Sequence, residues 1–444
     1  MLRKINSKFS WKICLDDIFI INKGRIATML FCLGILLAVL GSLQPIYMWK
    51  FANTYSILAS LPIVLSLSIS RTISNSIYTR TDFIMPLTAY IILQVFMKLV
   101  AGANINSYID LFFNVIIAYA LFSVDQPLLQ KCSKFICIVF GGFLAVSLLF
   151  FILYIIGFPL PSKSISHPFL EYTYIEYPFL LVDDRQFLVL IPRFNSVCLE
   201  PGHLGTIGSL FLLAQIGNWK KWYNIVILIA TIFSFSLAAY GLMLINLFVI
   251  AWTKGKKILP SIIGIGIVCA TIVVGAIFYN DGDNMVNALI LERLEVEDDG
   301  NISGNNRVTD EFQAEFDKYI QTSDVIFGRG ESLKKFGFGN SGYKVFLYDY
   351  GLITTLMVLF FYVIIIIPSK NHRAKIGMLV VFIAGFWIRA IPLYYYFLVP
   401  LYFFAYTDRS KYEVKTRVKN EHNNKDEEAI KQQSGEAEHS HASI

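Results

Sequence analysis

Again and again along its length this chain returns to an apolar run long enough to cross a bilayer, and that recurrence constrains its fold more than any motif. A spanning helix needs roughly 20 mostly apolar residues, because lipid offers no partner to an open backbone N–H or C=O. About twelve such runs can be marked, at 26–46, 53–70, 83–101, 108–124, 135–157, 199–217, 222–236, 237–252, 258–279, 343–367, 376–391 and 393–407. The stretch 222–252 is long for one helix and short for two. It is divided at Ser234-Phe-Ser236 and Tyr240-Gly241, because a single span would break the charge alternation described next. With 55 % hydrophobic and only 16 % charged residues, the chain is not an ordinary soluble globule. The expected fold is all-α, a polytopic helical membrane protein of about 12 transmembrane helices over 1–407. Residues 408–444 form a tail too polar to bury a core, expected to be disordered and cytoplasmic.

Basic residues mark the cytoplasmic side of short membrane loops. Here they recur at every second connection: Arg3 to Arg25, Arg71 and Arg80, Lys131 and Lys134, Lys220 and Lys221, Lys254 to Lys257, and Lys370 to Lys375. This alternation predicts both termini inside and the two long loops, 158–198 and 280–342, outside. The basic amino terminus leading into a full-length span predicts an uncleaved anchor. Anchoring to anionic lipid accounts for most of the net charge of +6, so no nucleic-acid partner is expected. The six cysteines show no CxxC or Cys/His spacing, and no metal or other cofactor is expected. Lys98 and Asp110, near the outer ends of spans three and four, are expected to form a structural charge couple.

One segment carries charge where an apolar chain should have almost none: Arg193-Phe-Asn-Ser-Val-Cys-Leu-Glu200-Pro-Gly-His203-Leu-Gly205, at the outer mouth of the sixth span. Proline suits the first turn of a helix, glycine beside it admits a close neighbour, and the helix amino terminus favours an anion. The loop before it holds Glu171, Tyr172, Tyr174, Glu176, Tyr177, Asp183, Asp184 and Arg185, a mixed surface of the kind that contacts sugars. In the second outer loop Arg293 and Arg307 flank an acidic turn that lacks the calcium-loop spacing. After it, Thr309 is placed to cap a short amphipathic helix with Phe312, Phe316, Tyr319 and Ile320 on one face. Phe327-Gly-Arg329-Gly and Gly339-Asn340-Ser-Gly-Tyr343 follow, and Arg389 stands where the eleventh span emerges. Guanidinium groups stay protonated and bind phosphate through paired hydrogen bonds, so converging outer arginines suit a lipid pyrophosphate without a divalent ion.

The stretch Arg193 to Gly205 resembles the corresponding segment of bacterial O-antigen and capsule repeat-unit polymerases of the Wzy type. The resemblance extends to Ser234, Ser236 and Tyr240, to Asn306-Arg307, to Phe327-Gly-Arg-Gly330 and to Asn340, Tyr343, Leu347 and Tyr350-Gly351. The superfamily also contains O-antigen ligases, which present a histidine where this chain has Gly339-Asn340; that departure counts against a ligase. The resemblance implies a GT-C-like membrane glycosyltransferase acting on undecaprenyl-pyrophosphate-linked glycans at the periplasmic face of the bacterial inner membrane. A chain-length regulator is the candidate protein partner. Arg193 and Arg307 would stabilise the departing pyrophosphate, with Arg389 in support. Arg329, Asn340, Tyr343 and Tyr240 would contact substrate, and Glu200 or His203 would accept the proton. Glu200 serves equally as an ion-pair partner of Arg193, and His203 as a satisfied helix residue. A flippase or other transporter is the competing class, but no internal repeat marks the two halves and the charges gather at the outer face rather than at mid-membrane.

Overall fold

The structure, a computed structural model, describes residues 11–51, 54–69, 81–124, 126–166, 173–183, 192–254, 308–330, 332–337, 340–367 and 372–404, with scattered positions between 264 and 287. Helices dominate them: α1 (Trp11–Leu43), α2 (Tyr55–Ile69), α3 (Thr81–Val100), α4 (Ile105–Ser123), α5 (Gln126–Ile155), α6 (Pro201–Ala214), α7 (Trp222–Phe233), α8 (Leu237–Lys254), α9 (Asp310–Tyr319), α10 (Ser332–Phe336), α11 (Tyr343–Ile366), α12 (His372–Ile388) and α13 (Tyr395–Phe404). A two-turn 3-10 segment, Ile46–Phe51, follows α1.

Four of these are long and apolar enough to cross a membrane: Gly24–Leu43 within α1, α4, Leu128–Ile155 within α5, and α11. The other apolar helices are shorter. At ~1.5 Å per residue, the 12 residues of α7 reach ~18 Å and the 14 of α6 ~21 Å, against a hydrocarbon core of ~30 Å. The expected spans 199–217 and 222–236 thus form helices, but not full-length ones. Gln215 and Gly217 end α6 in turns, and Ser234 with Phe235 (φ 43°) breaks the chain between α7 and α8. The run 258–279 and the tail 408–444 lie largely or wholly outside the described residues.

The helices pack around one apolar core that includes Phe31, Ile63, Tyr90, Leu121, Phe211, Tyr362, Phe382 and Phe397. α6 lies against both α7 and α8. What brings them close is a stripe of glycines at Gly202, Gly205 and Gly208, three residues apart and so on one face. A Cβ at Gly205 would collide with Ala239 and Ser234, and one at Gly208 with the Thr231 side chain.

The first long loop is not all-helical. Lys163–Ser166, Thr173–Tyr177 and Leu180–Asp183 form a three-stranded antiparallel sheet, β1, β2 and β3 in order, with Lys163 opposite Glu176 and Tyr177 opposite Leu180. Its β-branched, aromatic and alternating residues fit a half-buried pleated surface, and with Pro178-Phe179 as a two-residue turn they favour a hairpin over a loop. Phe179 holds a φ of 56°, a backbone cost retained because its ring packs on Phe143 and Phe150 of α5.

The described part of the second long loop folds around Phe312, Phe316, Tyr319 and Tyr348. Thr309 caps α9 as expected, accepting from the Phe312 N–H. Of the four residues expected on its apolar face, three are buried, while Ile320 ends the helix and is exposed. α11 is interrupted at Gly351 (φ 76°), which frees the Tyr348 and Asp349 carbonyls. The N–H groups of Arg329 and Gly330 donate to them at 2.7 and 3.0 Å. The two glycine backbones, Gly328 and Gly351, meet where no side chain would fit.

Candidate functional site

The segment leading into α6 is held on every side. Phe194 N–H donates to the Phe233 carbonyl at 2.9 Å, Leu181 N–H of β3 to Ser196 at 2.6 Å, and Ile46 N–H to Val197 at 2.9 Å. Tyr174, buried under Trp49, donates its hydroxyl to the Leu199 carbonyl at 3.1 Å. Phe194 to Leu199 are all buried, and Ser196 adopts φ 54°, a conformation kept only where the surroundings over-determine it. A loop with so many fixed backbone groups is a scaffold for the charges at its two ends, Arg193 and Glu200.

Arg193 donates from Nε to the Ser234 carbonyl at 3.2 Å, at the break between α7 and α8. Glu200 is the N-cap of α6, with Pro201 in the first turn, as the sequence predicts. Its carboxylate is bound by Arg389, Nη2 to Oε2 at 2.7 Å. The expected Arg193–Glu200 pairing is therefore corrected: the ion-pair partner the structure shows for Glu200 comes from the end of α12, 189 positions away. The close neighbour that glycine admits is the same arginine, since a Cβ at Gly202 would collide with Arg389 Nη2. His203 and Arg193 lie within electrostatic reach of the same carboxylate. His203, one turn into α6, faces the ring of Tyr396 at 6.0 Å. Among the described residues, His203 Nδ1, Arg389 Nε and Tyr396 Oη are buried without a hydrogen-bond partner. Buried polar groups are normally paired, and leaving one open costs ~1–3 kcal/mol, so three around one ion pair mark a place that suits a polar ligand.

Tyr240, on α8, donates its hydroxyl to the Ile232 carbonyl and lies within electrostatic reach of Arg193. Arg193, Glu200, His203, Arg389 and Tyr240 are thus gathered at the amino end of α6 and the α7–α8 break. Arg307, with Asn306 and Arg293, lies outside the described residues, as do Glu171, Tyr172, Asp184 and Arg185. Arg329 is engaged elsewhere. It bonds Asp324 at 2.9 Å and Glu315 at 3.0 Å and lies over the Tyr319 and Tyr348 rings, a clip within the second loop. Asn340 accepts from Thr309 N–H at 2.7 Å, tying the start of α9 to the approach to α11. Tyr343 stacks on Trp387 at 4.0 Å, two residues before Arg389, and so supports the α12 end rather than standing open.

Two other expectations are corrected. Tyr174 belongs to the core, not to a sugar-contacting surface. Asp110 is bonded by the Ser56 hydroxyl of α2 and by Asn114 of its own helix at 2.9 Å, and not by Lys98: neutral donors satisfy it. The sequence reading missed Tyr396 and the Ser234 carbonyl. The run Tyr394 to Tyr396 just after Arg389 is a signal for the first; nothing local marks the second.

The Arg389–Glu200 pair, with Arg193 within electrostatic reach, lies beside a helix amino terminus, where backbone N–H groups favour an anion. Among the described residues no three His, Cys, Asp or Glu side chains gather to hold a metal ion. Compared with known proteins, the chain matches no protein-family model, no curated protein and no solved structure, so its reading rests on this geometry.

Proposed function

We propose that the chain is a multi-pass membrane glycosyltransferase that joins oligosaccharide repeat units carried on undecaprenyl pyrophosphate. In this reading about twelve helices of a GT-C-like bundle lie in the bacterial inner membrane, both termini are cytoplasmic, and 158–198 and 280–342 are periplasmic. The observation that carries the proposal is the convergence of Arg193 and Arg389 on the amino end of α6, amid otherwise apolar helices. An anionic leaving group is what such a site stabilises best: fixed donors in a water-poor place act on charge as it develops. The acceptor sugar hydroxyl attacks the anomeric carbon, the bond to pyrophosphate breaks, and its electron pair leaves with the phosphate oxygen. Glu200 and His203 are the nearby groups able to take the hydroxyl proton, and Arg307 is the further arginine expected from the second loop.

The test is a strain lacking its own copy, complemented with Arg193→Ala or Arg389→Ala, with surface polysaccharide resolved on a gel. Single attached repeat units in place of a ladder are expected; unchanged ladders at normal protein level overturn the site. Purified protein given lipid-linked repeat units should elongate them in the presence of a chelator. A strict divalent-ion requirement removes the arginine argument.

A further inference from the structure

The two halves of the Arg389–Glu200 pair are not equally free. The arginine side chain retains 14 % of its exposure and the glutamate 44 %. The guanidinium is seated against Gly202, where no Cβ would fit, and its Nε is buried. The carboxylate sits at the loop–helix junction and is the more exposed half of the pair. An anion arriving at this site therefore meets the more buried cation through its more exposed counter-ion.

We infer that Glu200 is the resident counter-ion of Arg389, that the pyrophosphate of the substrate takes its place, and that the displaced carboxylate becomes the proton acceptor. This rests on the pyrophosphate reading given above. While paired, Glu200 is a poor base, because the arginine stabilises its charged form. Once phosphate oxygens occupy Nη2 and the open Nε of Arg389, that stabilisation is withdrawn and the carboxylate is more basic. The site thus acquires its base only when the leaving group is in place. In the step that follows, the acceptor O–H bond breaks toward Glu200, the new C–O bond forms at the anomeric carbon, and the old C–O bond breaks toward pyrophosphate. One proton passes to Glu200, one C–O bond forms as another breaks with its electron pair leaving on pyrophosphate, and no further reactant is needed. His203 and Tyr396, whose rings face each other and whose Nδ1 and Oη are open, are left to hold sugar hydroxyls.

The experiment is binding of inorganic pyrophosphate to the full-length protein in lipid nanodiscs, by calorimetry, with thermal unfolding followed in parallel. Glu200→Gln removes the competing charge and should bind pyrophosphate about tenfold tighter while losing glycan transfer, a fold-change of ~1.4 kcal/mol. Glu200→Asp keeps the charge on a shorter arm, weakens the pair and should gain affinity by a smaller factor. It also serves if Glu200→Gln does not fold. Arg389→Lys should bind weakly. If Arg389→Lys loses binding but neither glutamate variant gains it, counter-ion exchange is wrong and the pyrophosphate site stands. If Arg389→Lys and Arg193→Ala both bind as wild type, the site reading itself falls.

Discussion

Gly202→Ala separates the function of this site from the stability of the fold. Gly202 lies in the first turn of α6, with no left-handed backbone to preserve. The added methyl would collide with Nη2 of Arg389 and next approach its Cζ at 3.4 Å and Ser236 Oγ at 3.7 Å. A guanidinium is the far end of a flexible side chain, so it yields while the helix stays. A charge-assisted hydrogen bond contributes ~1.5–3 kcal/mol when well buried. Because Glu200 is 44 % exposed, that figure is discounted to ~1 kcal/mol. Alanine in place of glycine in a helix returns ~0.5 kcal/mol, leaving a net loss of ~0.5 kcal/mol and a shift in Tm of ~1 °C. Pyrophosphate binding should nonetheless fall about tenfold, because Arg389 is moved off its seat. Gly208→Ala is the control. There the Cβ meets Thr231, a β-branched side chain whose hydroxyl is held by the Ile227 carbonyl at 2.8 Å, and overpacking this buried seam costs ~1–3 kcal/mol. Its folded fraction should bind pyrophosphate as wild type does. Calorimetry and thermal unfolding on both variants decide the matter: wild-type binding by Gly202→Ala, or as large a stability loss as Gly208→Ala shows, refutes the reasoning.

Asn340→Ala removes the acceptor for Thr309 and loosens α9 by ~1 kcal/mol, seen as faster proteolysis of the second loop without loss of pyrophosphate binding. Arg329→Ala breaks ion pairs with Glu315 and Asp324 and the contact with Tyr319; it should weaken that loop but leave transfer within a few-fold of wild type, and abolished transfer in a well-folded variant would return Arg329 to the substrate site.

Local features were readable where local physics makes them. The cap at Thr309 and the proline start at Pro201 follow from backbone donors and ring geometry that act within a few positions, whereas the break near Ser234 was placed by the alternation of charge along the chain. The hairpin 173–183 was legible too, in its β-branched and aromatic alternation, but the all-α expectation set by the apolar runs obscured it. Tyr174 and Asp110 were misplaced because a residue type does not say which way its helix or strand is turned. Tyr174 turns under Trp49, and Asp110 toward Ser56. The lengths of α6 and α7 were overestimated for a related reason: hydropathy runs through their ends, whereas the turns at Gly217 and Phe235 do not interrupt it.

The sequence by itself determined that this is a helix-rich, membrane-type chain, and it singled out Arg193, Glu200, His203 and Arg389 as charges that an apolar neighbourhood must justify. Hydropathy and charge are additive along the chain, so they survive without coordinates. Only the tertiary structure decided which of those charges meet. Glu200 and Arg389 are joined across 189 positions because the glycine face of α6 lets a guanidinium from the end of α12 lie where any other residue at 202 would place a side chain. That contact depends on the packing of helices remote in sequence, and no local pattern encodes it.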